Sequence, residues 1–141
     1  MRSAAVAGMI LALATPGVAR AEQAACLTRT EFVAVSTYTL PSAIRGAVQR
    51  CSAVLPANAF LLTDGEKLAQ RHAAGRDKAW PAARAGLIKA GAALDPGAPE
   101  WLRALPDETA RPIVDELVIS IVDQQMPIDR CKALDRSVML L

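Results

Sequence analysis

The sequence predicts an all-α fold, a single small helical bundle of about five to six helices, and three observations support this class. Apolar residues recur every three or four positions through most of the chain, which is the period of a helix. Alanine and leucine are abundant while only five residues are aromatic, a composition that suits close packing of helices. Prolines and glycines separate the periodic segments, as expected of loops between helices.

The first 21 residues have the pattern of a secretory signal peptide. Arg2 supplies a positive start, the apolar run covers Ala4–Ala14, and Ala19-Arg20-Ala21 forms a small-x-small cleavage site. An apolar run of eleven residues is shorter than the roughly 20 needed to cross a bilayer. We therefore expect a signal peptide over residues 1–21 and a single helical domain over 22–141 that is periplasmic or secreted, with a disulfide and an association with the bacterial envelope.

The first helix is expected to begin at a capping box formed by Thr28 and Glu31. Its apolar positions stay in phase across Pro41 and extend to about Val54. Proline removes one backbone hydrogen bond and can either kink a helix or end it. The sequence therefore leaves two alternatives, one kinked helix or a helical hairpin with its turn at Leu40-Pro41.

The remaining helices are predicted from start and stop signals. Side-chain caps are expected at Asn58, Asp77, Thr109 and Asp129. Turns or helix ends are expected at Asp64-Gly65, Gly75, Gly91 and the loop 95–99, which precedes a short helical turn around Trp101. The helix after Thr109 carries the broadest apolar stripe and is expected to be central, and the apolar ending 138–141 is expected to pack into the core.

Charge is balanced overall but uneven along the chain. Residues 22–141 contain fourteen basic and fourteen acidic residues, which gives no support to a nucleic-acid partner. Residues 42–91 carry eight basic residues against three acidic ones, whereas residues 92–141 carry five against nine. We expect the two halves to pack together, and the alternative interpretation is a basic patch that binds an anionic group.

Three cysteines in an oxidising compartment predict one disulfide and one remaining thiol. Cys51 and Cys131 both lie on apolar helix faces, so their pairing is the first choice. Cys26–Cys51 is the alternative, and it requires the hairpin, since a continuous helix would hold these residues about 37 Å apart. Under the first pairing Cys26 remains available for a covalent homodimer.

No catalytic or metal-binding motif is present. His72 is the only histidine and lies among basic neighbours, so any histidine-dependent catalysis would have to use it. The cysteines and the histidine have no zinc-site spacing, and no glycine-rich phosphate loop occurs, so neither a metal site nor a cofactor is predicted.

The candidate binding surface combines two tryptophans with central arginines: Arg71, Arg76, Trp80, Arg84 and Trp101. The leading hypothesis is an exported, non-catalytic module that binds a protein or another envelope component. The alternative is a carrier for a small anionic or lipid-like ligand, with an apolar pocket and a basic rim. An enzyme that uses His72 is the third hypothesis.

Overall fold

The computed structural model describes residues 26–94, 97 and 99–140, and the predicted signal peptide over residues 1–21 lies outside them. Within this part of the chain there are six α-helices and no strand: α1 (Arg29–Cys51), α2 (Phe60–His72), α3 (Arg76–Leu94), α4 (Pro99–Ala104), α5 (Asp107–Gln125) and α6 (Cys131–Val138). Two short 3₁₀ helices, Ala73–Gly75 and Ile128–Arg130, precede α3 and α6. The prediction of an all-α bundle is confirmed.

Helix α1 begins at the predicted capping box. The Glu31 amide donates to the Thr28 hydroxyl over 3.2 Å, and the Glu31 carboxylate accepts from the Thr28 amide over 2.7 Å. The helix passes through the buried Pro41 without interruption and ends at Cys51, three residues before the predicted end at Val54. The hairpin alternative is therefore wrong.

Several predicted helix boundaries are also wrong, because the helices begin at other residues than the side chains expected to cap them. The caps at Asn58, Asp77, Thr109 and Asp129 are not formed. Asp77 instead lies inside the first turn of α3 and pairs with Arg111 over 2.5 Å. The amide of Leu61 at the start of α2 donates to the carboxylate of Asp135, 74 residues away, over 2.7 Å. A distant helix thus supplies the cap that a local side chain was expected to supply.

The predicted turn at Asp64-Gly65 lies within α2. A Cβ at Gly65 would come within 2.6 Å of the Val48 side chain, so the glycine allows α1 and α2 to approach closely. Gly91 likewise lies within α3, which continues to Leu94. Both glycines sit inside helices, where backbone conformation does not require them.

Helix α1 is the central element, contacting α2, α3, α5 and α6, and the prediction of a central α5 is wrong. The following contacts show in which direction each neighbouring helix runs relative to α1. Helix α3 runs antiparallel to the first half of α1, with contacts Glu31–Lys89 and Tyr38–Trp80. Helix α2 runs antiparallel to the second half, with contacts Arg45–Glu66 and Val48–Gly65. Helix α5 runs parallel to α1, with contacts Ser42–Asp115, Gly46–Ile119 and Arg50–Met126.

Two apolar clusters lie along α1. The first surrounds Tyr38 and Trp80 and includes side chains from α1, α3, α4 and α5. The second surrounds Cys51, Leu61 and Cys131 and includes side chains from α1, α2 and α6. The apolar ending 138–141 extends this second cluster only in part. Val138 is buried within it, whereas Met139 and Leu140 are 56% and 86% exposed, and Leu141 lies outside the described residues.

The predicted Cys51–Cys131 disulfide is confirmed. The two Cα atoms are 5.5 Å apart, and the bond joins the end of α1 to the start of α6. Both cysteines are fully buried, whereas Cys26 has a free, exposed thiol. The Cys26–Cys51 alternative is therefore wrong.

Candidate functional site

The predicted binding residue Trp80 lies in the protein interior. It is 1% exposed and packs against Tyr38 with 4.7 Å between ring centroids. The Arg76 guanidinium lies 4.2 Å from the Tyr38 ring centroid, and that of Arg111 lies 5.3 Å from the Trp80 ring centroid. Burial is the main cause that raises the pKa of Tyr38 to about 12. These stacked groups join three helices, and Trp80 has no ring face free for a partner.

Arg76 also makes polar contacts within the bundle. Its guanidinium pairs with the Asp115 carboxylate and donates to the Tyr38 carbonyl over 2.9 Å. Asp115 accepts a second hydrogen bond from the fully buried Ser42 hydroxyl over 2.7 Å. Because carboxylate, guanidinium and hydroxyl satisfy one another, this cluster connects α1, α3 and α5 and offers no open position for a ligand.

Arg84 satisfies carbonyl groups at the end of α4. It donates to the backbone oxygens of Leu102 and Leu105 over 2.5 and 2.7 Å and to the Asp107 carboxylate over 2.5 Å. Carbonyls at the end of a helix have no partner within it, so this cation stabilises the short α4. The nearby Trp80 indole N–H and then Arg84 lower the pKa of Asp107. Arg84 therefore holds the link between α4 and α5.

Arg71 and Trp101 are the exposed members of the predicted surface, but they belong to different helices. Arg71 lies in the last turn of α2, and Trp101 lies on α4 with 36% of its surface exposed. Neither contacts the other predicted residues among the hydrogen bonds, ion pairs and ring contacts of the described chain. A shared binding surface for all five residues stays a prediction.

His72 is exposed at the end of α2 and forms no hydrogen bond or ion pair within the described part of the chain. Over the same residues, no group of three or more histidine, cysteine or acidic side chains could hold a metal ion. The hypothesis of an enzyme that uses His72 stays a prediction.

An open depression lies between the first half of α1 and α3, with a volume of about 470 Å³. We call it the α1–α3 groove, and it is lined by Arg29, Thr30, Val33, Ala34, Thr37, Gly75, Lys78, Ala79 and Ala82. Its floor consists of small and apolar side chains, and Val33 on its wall is 54% exposed. Such a groove between two helices has the shape that receives a third helix.

Two cations at the α1–α3 groove lack acidic partners. Arg29 and Lys78 are exposed and take part in no ion pair among the described residues. The basic excess of residues 42–91 includes Lys78 but not Arg29, and neither residue was among those predicted for a binding surface. No sequence signal separates them from the other basic residues, because the distinction depends on which cations find a carboxylate in another helix.

A second groove lies between the second half of α1, α5 and α6, with a volume of about 260 Å³. We call it the α1–α5–α6 groove, and it is lined by Leu40, Ala43, Ile44, Ala47, Leu61, Val122, Met126, Leu134 and Val138. All nine lining side chains are apolar, so their contacts with an occupant would be hydrophobic.

No protein-family model, curated protein or solved structure shows a match to this sequence. None of the helices within residues 26–94 and 99–140 is long and apolar enough to cross a bilayer.

Proposed function

We propose that this protein is an exported, non-catalytic binding module, periplasmic or secreted, whose α1–α3 groove receives an acidic amphipathic helix of a partner protein. The observation that carries the proposal is the pair of unpaired cations, Arg29 and Lys78, beside an apolar groove floor. The signal-peptide pattern of residues 1–21 supports the exported location.

The ion pairs of the bundle support an acidic partner. Of the eight basic residues between 42 and 91, five form ion pairs: Arg45, Lys67, Arg76, Arg84 and Lys89. Arg50 donates to a backbone carbonyl, which leaves Lys78 and Arg71 without such a partner in the described chain. Of these two unpaired cations, Lys78 lines the α1–α3 groove. Arg71 lies one turn before Gly75, which also lines this groove. An acidic partner complements this charge.

The groove's shape favours a helix over other ligands. It is open along two antiparallel helices, so an amphipathic helix can lay its apolar face on Val33, Ala34 and Ala82. Acidic side chains beside that apolar face would then reach Arg29 and Lys78. Exposed ion pairs contribute little affinity, so these cations select the partner's charge while the buried apolar contacts supply most of the binding energy.

A covalent homodimer through Cys26 is part of the proposal for assembly. The thiol is exposed and precedes the first turn of α1. In an oxidising compartment it is free to pair with the same residue of a second copy. Native mass spectrometry of the exported protein before and after reduction distinguishes a disulfide-linked dimer from a monomer.

The binding proposal is tested with two synthetic amphipathic helices that share one leucine stripe and differ only in having glutamate or lysine beside it. Fluorescence anisotropy measures the affinity of the full exported protein for each. We expect the glutamate peptide to bind about tenfold more tightly, the effect of two exposed ion pairs near the upper end of their usual strength. The double variant Arg29→Glu/Lys78→Glu should reverse this preference.

The matched control is Lys132→Glu/Arg136→Glu, which makes the same charge change at two exposed α6 positions outside the groove lining. This control should keep the preference for the glutamate peptide, and circular dichroism should show the same helicity for all variants. Equal binding of the two peptides, or a preference that survives charge reversal at Arg29 and Lys78, would refute the proposal.

A further inference from the structure

We propose that the α1–α5–α6 groove binds a single-chain anionic amphiphile of the fatty-acid class, with its hydrocarbon chain along the groove and its carboxylate at Arg50. The inference does not rest on the proposed function, because this groove shares no residue with the α1–α3 groove. Three observations support it: the chemistry of the walls, the dimensions of the groove and the position of Arg50.

The walls favour hydrocarbon. None of the nine lining side chains carries a charge, a hydroxyl or an amide. A polar occupant would lose its hydrogen bonds to water without replacement, whereas an aliphatic chain loses none and removes apolar surface from water. Leu40, at one end of the lining of α1, is 41% exposed, so this surface is open to an entering chain.

The dimensions favour one slender chain. The volume of about 260 Å³ is just below the range of roughly 300–1,000 Å³ that is typical of pockets for drug-sized ligands. Along α1 the lining runs from Leu40 to Ala47, which corresponds to about 10 Å of helix. A medium-length acyl chain matches this length and volume.

Arg50 supplies the complementary charge. It follows Ala43 and Ala47 at helical spacing, so it lies on the α1 face that lines the groove. Its Nε donates over 3.0 Å to the carbonyl of Met126, which is itself a lining residue. Arg50 forms no ion pair with any residue that the structure describes. The backbone contact holds the guanidinium at this end of the groove, where its planar N–H groups suit a carboxylate.

The test uses decanoate and decanol, which share a ten-carbon chain and differ in their head group. Methyl NMR of the full oxidised protein follows Leu40, Val122 and Leu134 in the groove, with Val33 as a reporter for the other groove. We expect decanoate to shift the three groove signals, to leave Val33 unchanged and to bind about tenfold more tightly than decanol. Arg50→Gln should remove this difference and leave the affinity for decanol unchanged.

Three further variants distinguish binding in the groove from a general effect of charge. Ala43→Phe should fill the groove and abolish the binding of both probes. Because that variant can also disturb the fold, Leu40→Gln at the exposed end provides a second test and should weaken both probes about equally. Lys132→Gln, which removes an exposed cation of α6 outside the groove lining, should keep the preference for decanoate.

The proposal is overturned if decanoate and decanol bind equally to the wild type, or if Arg50→Gln keeps the preference for the acid. It is also overturned if the groove signals respond to protein concentration and not to either probe, since the occupant would then be a second copy. Decanoate shifts at Val33 alone would place the amphiphile in the α1–α3 groove and likewise overturn it.

Discussion

Reduction of the Cys51–Cys131 disulfide is expected to lower the free energy of unfolding by about 4.5 kcal/mol. The bond joins residues 80 positions apart and so closes most of the folded chain into one loop. In the loop-entropy relation, opening a loop of this length restores about 15 cal/mol/K to the unfolded state, which gives about 4.5 kcal/mol at 25 °C. This is a large share of the roughly 5–15 kcal/mol that stabilises an ordinary domain.

Reduction of the disulfide is also expected to destabilise α6 locally. Helix α6 has eight residues, and isolated helices shorter than about 12–15 residues are marginal in water. Without the disulfide, α6 is held by its packing and by the hydrogen bond between the Leu61 amide and Asp135. We therefore expect α6 to lose protection from hydrogen exchange before α1, which lies at the centre of the bundle.

Urea denaturation followed by circular dichroism, on oxidised and reduced protein, measures the global effect. Cys26→Ser serves as a control that excludes any contribution of a Cys26–Cys26 bond, and the loss of stability on reduction should persist in this variant. A decrease in the free energy of unfolding of less than about 1 kcal/mol on reduction would refute the reasoning. It would mean that the unfolded chain keeps Cys51 and Cys131 close together even without the bond.

Four further substitutions test the packing and the ion pairs. Gly46→Ala should lower stability by about 1–3 kcal/mol, since its Cβ would lie 2.7 Å from a backbone oxygen of α5, whereas Gly91→Ala, with open space around it, should raise stability by up to about 1 kcal/mol. Arg84→Ala should cost about 2 kcal/mol and loosen α4 in hydrogen exchange, because several carbonyls lose their donor. Lys89 and the Thr28 amide lower the pKa of Glu31 from 4.5 to about 2, so the stability advantage over Glu31→Gln should be full above about pH 5 and disappear as the pH falls towards 2.

Each of these predictions has an outcome that would contradict it. Stabilisation by Gly46→Ala in urea denaturation would mean that α1 and α5 are less closely packed than described. Unchanged exchange in α4 after Arg84→Ala would show that its carbonyls do not depend on the arginine. Folding lowers the pKa of Glu31, so its contribution to stability should decrease as the pH falls. A stability difference between the wild type and Glu31→Gln that grows below pH 4 would contradict the contact with Lys89.

The sequence by itself determined the features that depend on neighbours within one or two turns. Apolar spacing of three and four predicted the helices, and the Thr28–Glu31 capping box located the start of α1. The apolar faces around Cys51 and Cys131 favoured the pairing that the structure contains, although the choice over Cys26 depended on whether Pro41 interrupts the helix. Such signals are local, so no docking of helices is needed to interpret them.

The tertiary structure alone decided which polar groups were already satisfied. Asp77 pairs with Arg111 instead of capping α3, and Asp135 caps the distant α2. Arg84 donates hydrogen bonds to carbonyls at the end of α4. These partners are 18 to 74 residues apart, so no local sequence pattern predicts that their helices come into contact. For the same reason the sequence predicted a basic excess but not its location. That location depends on which cations remain without a carboxylate once the helices have packed.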